Sequence, residues 1–442
     1  MSTAGTSGPG CVPLSDEDRA ILDLECATVV GHVLHMAMLE GPPLTAAGLR
    51  EQIAARLPAA PELRYRLDER DGVPVWVPDA DLDLARHVVD APDSPYDEGA
   101  LRALVAHRFA QHLDRDRPLW SLDVAPLAGG GTALVWRVHH ALADGATMTR
   151  LSHTVLYDEE PAGPATGAAA SPPATVHADH ERRRAHLMGL ISREFTVGPS
   201  RSPFDGELST HRDVAFVDTD LAALHAAARS AGATVNDAFL AVLAGGLRRW
   251  VDHHAGEVTD LRVRVPVSLP REDPSAGNRD SAFDLPLPVH VTDPLERLRA
   301  VHALTTARKD ARDAALLDDL LHRLAEVSPP LRRVCDRLRA TARAFTVSVS
   351  NVPGPRAPVA VLGRRVRATW PLAEIGFHHA LRVTAASMVD VLSFGVTVDP
   401  GLVPDVDVLA DGLRAEAGLL VAACGTDPDR QTSPDRREAT SR

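Results

Sequence analysis

The sequence is short of several things, and each shortage removes a class of protein. Cysteine occurs four times in 442 residues, at Cys11, Cys26, Cys335 and Cys424, and never as a Cys-x-x-Cys pair. That spacing excludes a zinc ribbon and offers no disulfide framework, so no metal site is expected. No run of about 18 apolar residues occurs, and no membrane-spanning helix is expected. Residues 1–13 hold neither a basic nor an apolar stretch, so no signal peptide is visible and the expected location is the cytoplasm. Positive charge is in deficit: the formal net charge is −13, whereas general nucleic-acid binding needs a basic footprint. Lysine is almost missing too, with Lys309 the single example. Beside abundant Ala, Asp, Val and Pro, that reads as a GC-rich genome more than as a functional choice. What remains is ordinary for a globular chain. Hydrophobic residues make up 45% and charged residues 24%, which excludes wholesale disorder. At roughly 150 residues per domain the length suggests two or three domains, each able to bury a core without staples.

Two compositional breaks divide the chain. Asp158 to Asp179 contains Glu-Glu-Pro-Ala-Gly-Pro and Ala-Ala-Ala-Ser-Pro-Pro and reads as a flexible linker. The stretch after Gly425 is polar, charged and expected to be disordered. The division is therefore 1–157 for a first lobe, 158–205 for a linker, 206–424 for a second lobe and 425–442 for a tail.

Both lobes mix strand and helix signals, which makes the fold class α/β or α+β. Ser15 caps a first helix. Val73 to Val77 and Thr132 to Val138 read as strands, and Ala146 to Leu156 as a helix. Further on, Asp213 to Val217 is strand-like, Asp220 caps a helix ending at Gly232, and Thr234 caps another running to about Trp250. Strands are expected at Leu261–Val267, Leu285–Val291, Phe345–Val349 and Leu392–Val398, and arginine-faced helices over Leu316–Ala344.

The sharpest chemical signal is His139-His140-x-x-x-Asp144-Gly145, directly after a predicted strand. A strand end presents His140 at a sheet rim, where a rigid scaffold positions loop residues. Imidazole has the unperturbed pKa best suited to a general base near neutral pH. Asp144 would fix the loop and orient the base, and Gly145 permits close backbone approach. Spacing alone does not establish this: His112 and Asp116 share it inside Asp-Arg-Asp-Arg and read as a solvated face. His378-His379 has no Asp-Gly downstream at the required distance.

Five motifs in order carry a resemblance across about residues 14–420. They are Leu14-Ser15-x-x-Asp18, Arg115-Asp116-Arg117-Pro118-Leu119-Trp120, His139 to Gly145, Thr234-Val235-Asn236-Asp237 and Ser350-Asn351-Val352-Pro353-Gly354-Pro355. Val75-Trp76-Val77, His87-Val88 and Gly277-Asn278 add to them. Together they resemble the bacterial wax ester synthase/acyl-CoA:diacylglycerol acyltransferase family, within the CoA-dependent acyltransferases. Leu381-Arg382-Val383-Thr384 stands where the family usually has Leu-Asn-Ile-Thr. Ser387-Met388-Val389-Asp390 and Pro203-Phe204-Asp205-Gly206 also depart from its pattern.

The resemblance implies two chloramphenicol-acetyltransferase-like lobes with a channel between them, and His140 as the base that activates a hydroxyl. Acyl-CoA would be the co-substrate, with diacylglycerol or a long-chain alcohol as acceptor and no metal or redox cofactor. His139 and Asp144 would support His140. Asn236, at a helix N-terminus, suits an oxyanion or serves as a second capping residue beside Asp237. Pro118, Leu119 and Trp120 would line the channel or sit in the core, and Asn351, Pro353 and Gly354 would shape its wall. Glu181–Phe195 reads as an interfacial membrane helix or one packed on its own lobe. Leu331–Phe345 would meet CoA phosphates or form a solvated face. Peripheral contact with a membrane or lipid droplet follows from lipid substrates. The competing readings are a peptide-synthetase condensation domain, although no carrier-protein serine motif is present, a small-molecule O- or N-acyltransferase of natural-product metabolism, and a catalytically dead lipid-binding homologue.

Overall fold

Apolar alternation resolves into two six-stranded sheets and one small three-stranded sheet. The computed structural model describes residues 11–93, 95–158, 188, 202–254, 256, 261–269, 279–310, 313–328, 330–332, 334–335, 344–376 and 378–425. The first half holds β1 (Val12–Pro13), α1 (Asp16–Asp23), β2 (His32–Leu39), α2 (Ala46–Arg56), β3 (Tyr65–Arg70), β4 (Val73–Pro78), β5 (Val88–Asp90), α3 (Glu98–Phe109), β6 (Trp120–Pro126), β7 (Thr132–His139) and α4 (Gly145–Leu151). The second holds β8 (Asp213–Asp220), α5 (Leu221–Ser230), α6 (Val235–His253), β9 (Arg262–Leu269), β10 (Arg279–Pro286), α7 (Pro294–Asp310) and α8 (Asp313–Val327). It closes with β11 (Val347–Val352), β12 (Ala360–Val361), β13 (Arg364–Ala373), β14 (Leu381–Met388), β15 (Val391–Val398) and α9 (Val406–Gly425).

The first sheet runs β12-β13-β2-β7-β6-β5 and the second β10-β9-β11-β14-β15-β8. All of β7 is buried because both its faces are covered. Leu134, Trp136 and Val138 pack among Leu49 and Ile53 of α2 and Met148 and Leu151 of α4. Ala133 and Val135 point the other way, into Leu104 and Phe109 of α3. The second lobe is centred on α6, whose Ala238 to Leu247 are buried against the sheet and Leu409, Leu413 and Leu420 of α9. Among the described residues no single helix is long and apolar enough to cross a membrane.

One finding changes the division read from the sequence. Residues 360–373, placed there in the 206–424 lobe, extend the sheet of the first. β13 pairs antiparallel with β2, from Val366 opposite Leu39 to Ala373 opposite Val33. Without it β2 would expose an open edge. The two lobes also touch face to face. The Thr384 hydroxyl lies between the carbonyls of Pro371 and Gly395, and Arg102 of α3 pairs with Asp213 at 2.9 Å.

Local expectations hold where capping signals are strong. Ser15 and Thr234 each close a capping box, and Asp220 caps α5. The strand expected at Leu285–Val291 ends at Pro286 instead, since Pro286 and Pro288 remove ladder donors. The helices expected over Leu316–Ala344 begin as α8, and residues 336–343 lie outside the described residues. So do Gly277 and Asn278, nearly all of the Glu181–Phe195 segment, most of the linker and the tail beyond Gly425.

The seam between lobes gives a direct test. A Cβ at Gly395 would stand 1.9 Å from the Pro371 carbonyl oxygen, and neither backbone is free to yield. Gly395→Ala should cost at least about 1–3 kcal/mol, as overpacked cores do. A midpoint of urea unfolding equal to wild type would show that the sheets are not in this contact.

Candidate active site

β7 ends at a fixed backbone position. His140 N–H donates to the Gly31 carbonyl at 2.9 Å, just past the ladder pair His32–His139. The chain then turns, and Asp144 caps α4 by accepting from Thr147 N–H at 2.7 Å. Gly145 follows, where a Cβ would come within 3.4 Å of Val352 from the second lobe. The aspartate thus organises the loop beneath the histidine and makes no hydrogen bond to it.

The two adjacent histidines have opposite surroundings. His139 is 1% exposed. Its Nδ1 accepts from Ala141 N–H at 3.1 Å, so Nε2 carries the proton and donates to Glu25 at 2.9 Å. Gly31, at φ +68°, makes room: a Cβ there would lie 2.6 Å from His139 Nε2. Arg115 holds the other Glu25 oxygen. Burial pushes Glu25 upward, but the hydrogen bonds from His139 and Arg115 outweigh it and keep the carboxyl below its ordinary range.

His140 lines a cavity of about 330 Å³ together with Tyr65, Trp76, Asp144 and Thr147. The small sheet β1-β4-β3 supplies Trp76 and Tyr65, so it forms part of the site. Burial pulls the His140 imidazole down to about 4, the Arg382 cation pulls the same way and Asp144 opposes both. A histidine so placed is neutral at pH 7, which a proton acceptor requires.

The other sequence candidates divide. Pro118, Leu119 and Trp120 are buried in the first lobe, where Trp120 donates from Nε1 to the Leu63 carbonyl at 2.8 Å and stacks on His87. They line neither cavity. Asp237 is wholly buried, closing the α6 capping box and accepting from Thr305 at 2.7 Å and from His302 at 2.9 Å. Asn236 and Asn351 are brought together, with Nδ2 of Asn351 donating at 3.4 Å. Gly354 lines a second, smaller cavity of about 40 Å³ with Trp136, Thr149 and Val352, while Pro353 is exposed. His112 contacts the Cys26 carbonyl at 3.0 Å, and His379 stacks on Phe345. Neither joins the site.

A cluster that sequence reading did not find lies behind His140. Glu374 accepts from Val30 N–H at 3.1 Å and from Arg212 at 3.1 Å. Arg382 Nη1 donates to the Glu374 carbonyl at 3.1 Å. Burial pushes Glu374 up to about 7 against the pull of Arg212. Arg212 lies 162 positions from Glu374 and Val30 lies 344 from it, so no local pattern could join them. Arg382 had one signal: an arginine where the family usually has asparagine.

Known proteins resemble this chain in sequence and in fold. The wax ester synthase/diacylglycerol acyltransferase catalytic domain matches residues 14–198, and the WS/DGAT C-terminal domain matches residues 276–419. A probable diacylglycerol O-acyltransferase of Mycobacterium tuberculosis is 30% identical over 424 residues, covering 88% of this chain and 90% of that one. Among solved structures, the wax ester synthase/diacylglycerol acyltransferase from Marinobacter aquaeolei VT8 superposes with a TM-score of 0.71 at 24% identity, over 94% of this chain and all of that one. The first condensation domain of the calcium-dependent antibiotic synthetase follows with a TM-score of 0.62 at 18% identity, over 95% and 97%. These two share the fold.

The Glu25–His139 pair sets a stability test with a definite sign. A carboxyl held below its ordinary pKa stabilises the fold above that range and loses the contribution as pH falls through the folded value. Glu25→Gln should therefore cost about 1–3 kcal/mol at pH 7, measured by urea unfolding. The gap to wild type should close below about pH 4; one that stayed constant down to pH 3 would refute the ionic role.

Proposed function

This chain belongs to the wax ester synthase/diacylglycerol acyltransferase family, and on that premise we propose that it transfers a fatty acyl group from acyl-CoA to diacylglycerol or a long-chain alcohol with His140 as general base. One observation carries the assignment of the base. His140 is the histidine that faces the larger cavity, and its surroundings hold it neutral.

The acceptor hydroxyl gives its proton to His140 as its oxygen attacks the thioester carbonyl. The C–O bond forms and the carbonyl electrons move to oxygen, giving a tetrahedral oxyanion. Collapse restores the carbonyl and breaks the C–S bond, and the CoA sulfur leaves with the proton that His140 held. Atoms and charges balance with two substrates and no covalent acyl-enzyme. Asp144 and His139 act through His140: the first caps the loop that follows it and the second, tied to Glu25, anchors the end of β7.

Removing the base should cost what general-base catalysis supplies, about 10²- to 10⁴-fold. His140→Ala should lose at least about a hundredfold in kcat in a CoA-release assay while binding acyl-CoA. In the wild type, kcat/KM should stay level from neutral pH down to about 5 and fall only near the His140 value of about 4. An acid limb near 6.5, the value of an unperturbed imidazole, would contradict the buried base. So would a His140→Ala protein within about tenfold of wild type.

Peripheral contact with a membrane or lipid droplet belongs to the same reading, because the acceptors are lipids. At a net charge of −13 that contact should be apolar rather than attracted to anionic headgroups. Flotation with neutral-lipid liposomes should persist at high salt; loss of binding there would reverse the assignment.

A further inference from the structure

Arg382 sits where the two lobes meet. Its neighbours Leu381, Val383 and Ala385 point into the core of the second lobe. Thr384, on the same face as Arg382, reaches Pro371 of the first sheet. The guanidinium is therefore turned toward the seam. Three contacts link it to the base: Arg382 Nη1 to the Glu374 carbonyl, Glu374 Oε2 to Val30 N–H, and the Gly31 carbonyl to His140 N–H, at 3.1, 3.1 and 2.9 Å.

Its hydrogen-bonding is incomplete. A guanidinium has five N–H donors. Nη1 serves a backbone carbonyl, and Nε is buried with no partner among the described residues. Nor is its charge balanced. The nearby carboxylate, Glu374, gives both oxygens to Arg212 and Val30, so two guanidiniums share one carboxylate. A half-buried cation left short of partners favours a ligand that brings an oxygen acceptor.

We propose that Arg382 is a specificity-determining residue: its guanidinium receives an ester carbonyl of the acceptor while His140 faces the acceptor's hydroxyl. The proposal rests on His140 as the base. In a 1,2-diacylglycerol the ester carbonyls lie a few bonds from the free hydroxyl, so both groups are presented together. A simple alkanol has no such oxygen. The phosphates of acyl-CoA are separated from the thioester by the pantetheine arm.

The test compares acceptors that differ only in the carbonyl. Full-length protein is given palmitoyl-CoA with 1,2-dioleoylglycerol, its 1,2-dialkyl ether analogue or 1-hexadecanol in mixed micelles, and ester product and CoA release are followed. Wild type should use the diacyl compound about ten- to a hundredfold better in kcat/KM than the ether analogue, the range of a hydrogen bond to a charged group. Arg382→Gln should erase that preference, lowering kcat/KM for the diacyl compound at least about tenfold more than for hexadecanol. Equal losses with all three acceptors would instead make Arg382 a general contributor, such as an oxyanion donor, and overturn the proposal. Unchanged selectivity in the variant would do the same. If Arg382→Gln fails to fold, the wild-type ratio decides alone, because equal use of diacyl and dialkyl glycerol excludes carbonyl recognition. Wild type that transfers to none of the three defeats the function itself, a result distinct from transfer without discrimination.

Discussion

The pairing of β13 with β2 is the constraint on which the site depends. β13 comes from the second half of the chain, yet it completes the sheet of the first. At its end Glu374 takes the N–H of Val30, and the next residue, Gly31, accepts from His140. β2 starts immediately afterwards and pairs with β7 at His32–His139. One register therefore positions the histidine pair, the loop before β2 and the first residue beyond β13. A slip of one residue would turn every side chain of β13 to the opposite face and carry Glu374 away from Val30. The lobes are joined by strand pairing as well as by the chain connecting them, and Gly395 against Pro371 leaves no room between them.

Electrostatics at this junction works by withholding partners as much as by supplying them. His139 has a full set: a backbone N–H, Glu25 and, through Glu25, Arg115. His140 is denied a carboxylate contact, because Asp144 spends its side chain on the N-terminus of α4. Burial and the Arg382 cation then disfavour the imidazolium. An imidazole held neutral in this way is ready to accept a proton, and the imidazolium it forms is poorly stabilised, so it readily returns the proton to the leaving group. The same cation has Glu374 nearby, already engaged by Arg212. The His140 cavity itself is walled by the aromatic rings of Tyr65 and Trp76 from β3 and β4 and by the Asp144 loop.

Likeness to a condensation domain at 18% identity, with a TM-score of 0.62, shows that the architecture tolerates wide change in sequence.

Much of the local structure was legible in the residues themselves. Ser15, Asp220 and Thr234 each announce a helix start, because a side-chain oxygen three residues ahead of a free N–H satisfies it wherever the rest of the chain lies. The strand before His139 was visible in its β-branched and aromatic run, and the order of motifs was enough to indicate the family. Beyond about four residues this legibility stops. Nothing in Asn236-Asp237 says that the aspartate is used up by Thr305 and His302 while the asparagine meets Asn351. Pro118-Leu119-Trp120 reads equally as a channel wall or as core, and Leu63, 57 residues away from Trp120, decides for core. β13 was hidden because three arginines and a proline mask its alternation, and its partner β2 lies over 320 residues earlier. The sequence determined helix starts, strand content and the identity of the histidine pair, because those depend on neighbours along the chain. Tertiary structure decided that His139 is tied to Glu25, that His140 is left free, and that Arg382 lies behind it, because burial and charge compensation depend on residues that only strand pairing brings together.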